Sequence, residues 1–249
     1  MIYRELKAEG RPHPGPTPVG PLDGDRGEMI RRTLEIVTVV VGLLLIWPVF
    51  LLIALVIVVT SPGSVLFAQT RVGRHGKPFT IFKFRSMVSG ADKLGSSVTT
   101  GDDARITPVG RFLRRTKLDE LPQLWNVLSG DMSLVGPRPE VPEIVAHYAP
   151  AMYRILEVRP GITSIASLHL RDEEILLAAL DDPDRAYLAA LVPFKVLLAM
   201  KHVDQNSVWF DIKVLVLTLY SVLLGRWWPL SELREVTEFK NHLLHDYGK

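Results

Sequence analysis

The segment LEIVTVVVGLLLIWPVFLLIALVIVV, which runs from Leu34 to Val59, decides the fold of this chain. Glu35, at its edge, is the only charged residue among its 26 positions. At about 1.5 Å per residue, an unbroken helix of this length would extend about 39 Å, whereas the hydrocarbon core of a bilayer is about 30 Å thick. A helix in the core of a soluble protein is rarely so long and so uniformly apolar. The segment is therefore predicted to be embedded in a membrane.

The middle of this segment contains Trp47 and Pro48, and both of its flanks are basic. Proline removes a backbone hydrogen bond and bends a helix. Since basic flanks favour the cytoplasmic side, two basic flanks are satisfied together if the chain enters the membrane, turns at Trp47-Pro48 and returns to the same face. A kinked helix that spans the membrane also tolerates proline, so the residues alone leave both topologies open.

Composition narrows the class of protein further. The 249 residues carry a net charge of +2, contain no cysteine and have a mean hydropathy of +0.19. Disulfides and thiolate metal sites are thereby excluded, and no strongly basic surface for nucleic acid is implied. The N-terminal residues 1–28 include the Pro- and Gly-rich run RPHPGPTPVGPLDGDRG. This run is predicted to be a disordered lead-in rather than a secretion signal, which would need an apolar stretch directly after a short basic one.

The segment that follows the membrane region reads as a small α/β unit. Val65 to Gln69 and Pro78 to Phe84 are predicted strands around a Gly-rich turn, and Lys83 and Arg85 lie at the end of the second. A polar loop over residues 88–103 follows. Thr107 to Arg115 is predicted to be a short helix with proline near its start, and it carries Arg114.

Two adjacent acids, Asp119 and Glu120, stand in the sequence KLDELPQL (117–124). Pro122 is tolerated only in a first helical turn, so a helix is predicted to start near Asp119 and to stop at Gly130, with Asp119 as its N-cap. Read this way the acids are ordinary helix-start residues. Alternatively they form a site, because helix N-termini and arginines favour phosphate.

Two stiff loops present arginines close to prolines. Arg138 lies between prolines in GPRPE (136–140), and Arg159 precedes one in RPGIT (159–163). Rigid arginines suit bidentate phosphate recognition, although either loop could equally be a tight structural turn.

Three motifs together point to one protein family: FKFRSM (82–87), KLDELPQLWNVLSGDMSLVGPRPE (117–140) and VRPGIT (158–163). They resemble the bacterial sugar transferase family of monotopic phosphoglycosyl transferases, over most of the chain from about residue 31 to about residue 218. The resemblance implies a re-entrant membrane helix with a proline break. It also implies a cytoplasmic catalytic domain on the inner membrane, with an α/β, mainly α fold and interfacial helices.

The resemblance also implies the reaction. Members transfer a phosphosugar from a nucleoside diphosphate sugar, expected here to be a UDP-sugar, to polyprenyl (undecaprenyl) phosphate and release the nucleoside monophosphate. Asp119 would be the nucleophile that forms an acyl-phosphate, Glu120 would assist by metal contact or proton handling, and both are candidate ligands of Mg²⁺. Candidates for phosphate contact or site support are Lys83, Arg85, Arg114, Arg138, Arg159 and Arg171, with Arg138 and Arg114 ranked first.

One region departs from the family pattern. After the PGIT threonine the chain reads Ser164-Ile165-Ala166-Ser167-Leu168-His169, where many members have Gly, Gln and Asn at the first, fourth and sixth of these positions. Arg171 keeps its place. The sugar therefore cannot be carried over from the family, and His169 is expected to be a packing or hydrogen-bonding residue.

The expected domains are the lead-in (1–28), a re-entrant membrane helix (29–60), the catalytic domain (61–228) and a C-terminal helix (229–249). Helices are predicted from Tyr187 to His202, from Ser207 to Leu224 and from Ser231 to Tyr247; the second, followed by Trp227 and Trp228, is expected at headgroup depth. Homo-oligomerisation is left open. A membrane-bound phosphohydrolase and a non-enzymatic membrane scaffold are the competing hypotheses.

Overall fold

A computed structural model describes residues 25–91, 94, 98–100, 103–205, 207–224 and 234–248. The lead-in before Asp25, parts of the polar loop, the tryptophan pair Trp227-Trp228 and the start of the C-terminal helix lie outside these residues. The helices are α1 (Asp25–Thr60), α2 (Pro108–Thr116), α3 (Gln123–Ser129), α4 (Pro142–Val145), α5 (Ile165–His169), α6 (Glu173–Ala178), α7 (Pro183–Ala186), α8 (Val192–Gln205), α9 (Val208–Leu224) and α10 (Arg234–Tyr247). The strands are β1 (Leu66–Val72), β2 (Pro78–Phe84), β3 (Ser133–Val135) and β4 (Gly161–Thr163).

Two small sheets stand among these helices. β1 and β2 form an antiparallel hairpin in which Leu66 pairs with Phe84 and Val72 with Pro78. β3 and β4 are parallel, with Ser133 opposite Gly161. The predicted mainly helical α/β architecture is therefore confirmed for the described residues, and both predicted strands of the hairpin are found.

The long helix α1 passes through Trp47 and Pro48 without interruption. The predicted helix-break-helix is therefore absent as a break in secondary structure. The physical reason is that the fixed φ of proline is itself helical, so a proline removes one backbone hydrogen bond and bends a helix without having to end it. The same face of α1 continues on both sides of Pro48: Val39, Ile53 and Ile57 are buried against the rest of the chain.

Among the described residues two helical stretches are long and apolar enough to cross a membrane, by length and composition. In Gly27–Thr60 only 11% of the most apolar 18-residue stretch is buried within the protein, whereas in Pro183–Gln205 67% of the corresponding stretch is buried. The second stretch is therefore a core helix. The first leaves its apolar outer surface, including Leu45 and Val59, uncovered by protein.

Three apolar clusters hold the chain together. The largest packs α8 against α4 and α10, with Leu191, Leu198 and Val236 fully enclosed. The other two lie against α1. Its N-terminal half packs with β2, α3, β3 and α9 around Val39, and its C-terminal half packs with β2 and α2 around Ile57. Both halves of α1 thus pack against the rest of the chain.

Candidate active site

A residue in the left-handed backbone conformation precedes Asp119 and Glu120 and sets the course of the chain through them. Lys117, at φ 59° and ψ 15°, ends α2 and begins a 3₁₀ turn over Leu118–Glu120. The α3 helix starts later, at Gln123, with Pro122 at its N-cap position. The prediction that Asp119 caps this helix is wrong, because the 3₁₀ turn keeps the acids one turn ahead of the free N–H groups of α3. Both acids, Asp119 and Glu120, which together form the dyad, are instead buried, at 6% and 7% exposure.

Asn126 fixes α3 to the neighbouring strand. Its amide nitrogen donates to the Thr80 carbonyl over 2.7 Å, and its side-chain oxygen accepts from the Phe82 N–H over 3.1 Å. These two bonds tie α3 to β2 and hold the strand beside the 3₁₀ turn of Leu118–Glu120, the dyad turn. Lys83, the next residue of β2, consequently reaches Glu120, with its Nζ 3.2 Å from Oε1.

Glu120 is held by two cations. Besides Lys83, Arg138 donates from its two terminal nitrogens to the two carboxylate oxygens, over 3.2 Å and 2.5 Å. Burial alone would raise the pKa of Glu120, but the guanidinium of Arg138 and the amine of Lys83 hold this pKa well below its usual range. Glu120 is therefore ionised at neutral pH, and both its oxygens are occupied.

Asp119 has the opposite environment. Its Oδ1 is buried and has no hydrogen-bond partner. Burial, and next the negative charge of Glu120, raise the pKa of this carboxyl above its usual value. A buried carboxylate that accepts no hydrogen bond is poorly stabilised in its ionised form. When Asp119 is ionised, its Oδ1 therefore lacks normal solvation and is more basic than the oxygen of an exposed aspartate.

The arginine of GPRPE is fixed by a close crossing of two loops. The Gly136 N–H donates to the Thr163 carbonyl over 3.0 Å, and the Gly161 N–H donates to the Pro137 carbonyl over 2.9 Å. A Cβ built on Gly161 would lie 2.0 Å from the Gly136 nitrogen, so only glycine fits there. The RPGIT loop thus fixes the backbone of the GPRPE loop that carries Arg138.

The other predicted basic residues are placed differently. Arg114 lies at the dyad and pairs with Glu174 over 2.5 Å. The guanidinium of Arg85 donates to the carbonyls of Ser61 and Pro62 and so secures the end of α1. Arg85 also lines the larger cavity at the acids, together with Lys83, Arg114 and Arg138.

The remaining two arginines secure neighbouring elements. Arg159 lies on the far side of the crossing and donates to Glu28 over 3.1 Å. Arg171 donates to the Ser221 carbonyl over 2.7 Å, which ties α9 to the site. His169 is buried in α5, as expected for a packing residue.

Sequence reasoning missed a buried polar network behind Arg138. Lys195 Nζ lies 3.2 Å from Glu140, 3.3 Å from Glu173 and 3.0 Å from the hydroxyl of Tyr187, which itself donates to Glu140 over 2.9 Å. Burial opposes the charge on Lys195, yet Glu140 and Glu173 hold its pKa well above its usual value. Arg71 completes the group, 3.6 Å from Glu140. A lysine within the apolar run VPFKVLLAM was the signal that could have revealed the network.

Two cavities meet at the dyad. The larger, about 490 Å³, is lined by charged residues that include Asp119, Arg114 and Arg71 and by apolar residues that include Val141 and Ile144. The smaller, about 310 Å³, lies between the dyad turn, α5 and α9. Glu120, Arg138 and Lys117 line both cavities. Glu120 therefore borders both cavities, whereas Asp119 borders the larger one.

The residues around the dyad suit a cation that takes most of its ligands from elsewhere. No group of three or more His, Asp or Glu side chains gathers for a metal ion within the described part of the chain. Mg²⁺, however, is typically held by one or two carboxylates together with substrate phosphates and water. Asp119 is the carboxylate of the pair that is open to such an ion, because both oxygens of Glu120 accept from cationic side chains.

Comparison with known proteins gives concordant matches. A family model described as bacterial sugar transferase matches residues 26–225. A "UDP-glucose:undecaprenyl-phosphate glucose-1-phosphate transferase" of Escherichia coli (strain K12) is 42% identical over 216 residues, which cover 83% of this chain and 42% of that protein.

Two further relatives extend the comparison. A "UDP-N-acetylgalactosamine-undecaprenyl-phosphate N-acetylgalactosaminephosphotransferase" of Aeromonas hydrophila is 34% identical over 79% of this chain and 44% of its own length. The "Uncharacterized sugar transferase EpsL" of Bacillus subtilis (strain 168) is 38% identical over 79% of this chain and 89% of its own length. The match thus spans less than half of the E. coli and A. hydrophila proteins and most of the B. subtilis one.

Proposed function

The chain belongs to the bacterial sugar transferase family, and from this premise we propose that it transfers a sugar 1-phosphate from a UDP-sugar to polyprenyl phosphate and releases UMP. The observation that carries the proposal is the contrast within the dyad. Glu120 is locked by Lys83 and Arg138, whereas the Asp119 Oδ1 is buried, basic and without a partner. The names of the relatives, which specify UDP-sugar donors and undecaprenyl phosphate, supply the substrate classes.

The first half-reaction follows from the free oxygen of Asp119. Oδ1 attacks the phosphorus that bears the sugar, the bond between this phosphorus and the oxygen shared with UMP breaks, and UMP leaves with the electron pair. The product is an acyl-phosphate ester of Asp119 that carries the sugar. A poorly solvated carboxylate is a suitable nucleophile, because little hydration has to be removed before attack.

The cations around the dyad lower the repulsion between two anions. Arg138 and Lys83 place positive charge beside the carboxylates without moving, since Glu120 already holds both. Preorganised charge of this kind costs no reorganisation during the reaction. Glu120 accordingly acts as a positioning residue for Arg138 and Lys83. This differs from the expectation that it binds metal.

Mg²⁺ is the cofactor that we propose for this site. When bound, it would supply charge neutralisation to the diphosphate. On the protein side Asp119 would hold it, with the substrate phosphates and water as the remaining ligands. Arg114 and Lys117, which line the larger cavity with Asp119, would offset the negative charge of the donor.

We also propose that α1 enters and leaves the cytoplasmic face of the inner membrane without spanning it. The support is that polar contacts from one globular unit secure both ends of the helix. Near its start, Arg31 pairs with Asp211 over 2.5 Å, and Glu35 accepts from the Leu134 N–H over 3.2 Å. Past its end, Arg85 binds the carbonyls of Ser61 and Pro62. A straight span would have to separate these two ends by a bilayer of about 30 Å.

The activity is tested with a panel of UDP-sugars, with and without undecaprenyl phosphate. UMP release in multiple turnovers that requires the lipid supports the transfer, and a sugar-phosphate adduct trapped on Asp119 supports the covalent step. Continuous hydrolysis without lipid indicates the phosphohydrolase, whereas no UMP from any donor leaves only the scaffold.

The topology is tested with single cysteines, which the natural chain lacks. Glu28→Cys lies in the first turn of α1 and Ser64→Cys lies just after its end, both at exposed positions. In sealed inverted vesicles both are expected to react with an impermeant maleimide. Labelling of only one of the two would mean that α1 spans the membrane.

A further inference from the structure

Two charged residues of α1, one turn apart, face the rest of the chain. Arg32 and Glu35 pair over 3.2 Å, and their side chains are only 18% and 11% exposed. They share a face of the helix with Val39, which is buried in the apolar cluster around α3 and β3. Because burying charged groups is costly unless they are paired, the further partners of Arg32 and Glu35 indicate what the pair does.

Arg32 binds the end of α3. Besides Glu35, it donates to the carbonyl of Val127 in the last turn of this helix, and to the carbonyl of Met132 over 3.3 Å. The carbonyl groups at the end of a helix carry partial negative charge, so a cation is favourable there. Arg32 thus joins α1 to the end of α3 and to the residue that precedes β3.

The end of α3 leads to Lys83. Asn126, the neighbour of Val127, makes its two hydrogen bonds to the backbone of β2, one of them to the residue just before Lys83. The amine of Lys83 then lies 3.2 Å from Glu120. A shift of α3 along α1 would therefore move one of the two cations that hold Glu120.

Glu35 binds the side of β3 that faces away from β4. Its Oε1 accepts from the hydroxyl of Ser133 and, over 3.2 Å, from the N–H of Leu134. The N–H of Ser133 points the other way and donates to Pro160 over 2.8 Å, as alternate residues of a strand do. Since Leu134 is buried, its N–H would be a buried donor without an acceptor if Glu35 were absent.

β3 leads directly to the other cation. Arg138 lies four residues after Leu134, and the backbone between them is held where the Gly136 N–H donates to the Thr163 carbonyl. A shift of β3 along α1 would therefore move Arg138, which reaches Glu120 through its two-point contact.

We propose that Arg32 and Glu35 are positioning residues through which α1 sets the geometry of the dyad. The pair has two routes to Glu120: α3 and β2 lead to Lys83, and β3 leads to Arg138. Both cations that hold Glu120 are thus placed from one point on α1, and α1 is part of the catalytic geometry as well as an anchor. This inference rests on the proposed transferase function.

Glu35→Ala removes the acceptor for β3 and one partner of Arg32. UMP release is measured for the full chain in detergent, with undecaprenyl phosphate and the UDP-sugar of the panel that gives the highest rate, per folded enzyme after size-exclusion chromatography. We expect kcat to fall at least about tenfold and the KM for the UDP-sugar to change less than about twofold, because preorganised cations act on charge that develops in the transition state.

Asp211→Ala is the matched control. Asp211 pairs with Arg31 over 2.5 Å, so it also secures the start of α1, but it does so from α9 rather than from α3 or β3. This variant is expected to keep wild-type kcat. An equal loss of kcat in Asp211→Ala would mean that any loosening of α1 lowers activity, and it would overturn the positioning role.

Arg32→Gln tests the pair from its other side, and it also keeps the test decisive if Glu35→Ala does not fold. The change removes the cation at the end of α3 and is expected to lower kcat at least about threefold, again with little change in KM. Wild-type kcat in either folded variant would overturn the inference.

A double-mutant cycle separates positioning from general damage. Arg138→Lys has already lost the two-point contact, so Glu35→Ala in that background should lower kcat by less than about threefold. The same tenfold loss in both backgrounds would overturn the route through Arg138. Absence of lipid-dependent UMP release from the unmodified protein would instead overturn the transferase function on which the inference rests.

Discussion

Arg138 donates one hydrogen bond to each carboxylate oxygen of Glu120, over 3.2 Å and 2.5 Å. This two-point contact joins the GPRPE loop to the dyad turn, two segments that are distant in sequence. It also fixes the charge state of the pair, since the guanidinium keeps Glu120 ionised and Glu120 raises the pKa of Arg138 further. The geometry of the dyad therefore depends on a planar donor with two parallel N–H groups.

Arg138→Lys is expected to lower kcat/KM at least about tenfold, because lysine cannot make both bonds and one charge-assisted hydrogen bond contributes about 1.5–3 kcal/mol. Arg159→Lys is the matched control: Arg159 also stands beside a proline, but it contacts the exposed Glu28. Steady-state UMP release measures both variants. Wild-type activity of Arg138→Lys would mean that the two-point contact is dispensable.

Asp119→Asn is expected to abolish turnover and to raise the melting temperature in a buffer with EDTA. The folded-state pKa of Asp119 is raised above its ordinary 3.8, so the wild-type protein loses stability as the pH rises from the ordinary value through the raised one. The amide removes this loss, and relief of an unsatisfied buried charge is expected to stabilise by about 1–3 kcal/mol. The exposed Asp131→Asn, whose partner is Ser129, should leave the melting temperature unchanged.

The acidic limb of the pH profile of kcat/KM should reflect the same carboxyl. Because the nucleophile must be deprotonated, activity is expected to fall as the pH drops through the raised pKa of Asp119, at a higher pH than an ordinary aspartate would give. Glu120→Gln removes the neighbouring negative charge and should move this limb to lower pH, whatever its effect on the rate. A limb that stays in place would assign it to another group.

Lys195→Met tests the buried network behind Arg138. The change leaves Glu140 and Glu173 without their cation, and breaking a buried pair on one side costs about 3–5 kcal/mol. Lys201→Met removes a pair with Glu235 that is exposed at the surface, and it should cost less than about 1 kcal/mol. Denaturant unfolding in detergent compares the two. Equal costs would show that the buried network contributes no more than a surface pair.

The sequence predicted the elements of this protein better than it predicted the site. Periodicity and turn residues correctly indicated β2 and α2, because these features depend on neighbours in the chain. The role of Arg85 was not predictable in this way: its partners Ser61 and Pro62 are more than twenty positions away, and only the packed structure brings them together. The prediction that Asp119 is an N-cap was wrong for a local reason. The left-handed backbone at Lys117 starts a 3₁₀ turn at the acids, and no pattern of apolar residues reveals it.

Lys117→Gly should separate the backbone of Lys117 from its amine. A left-handed conformation costs an L-residue about 1–2 kcal/mol, and glycine avoids this cost. Glycine also loses more conformational entropy on folding, which reduces the gain in stability by about 0.5–1 kcal/mol. The variant is therefore expected to be more stable by up to about 1.5 kcal/mol, while turnover falls at least about tenfold because the amine of Lys117, which lines the larger cavity with Asp119, is lost.

The matched control for this last change is His75→Gly. His75 is the other non-glycine residue with positive φ among those described, at φ 58°, and it is exposed at the β1–β2 turn away from the dyad. It should give a similar gain in stability, measured by thermal unfolding, with wild-type turnover. If both glycines destabilised the protein, the backbone argument would be wrong. If Lys117→Gly kept wild-type turnover, the amine would have no part in the reaction, and the left-handed turn alone would explain why a lysine is tolerated before the dyad.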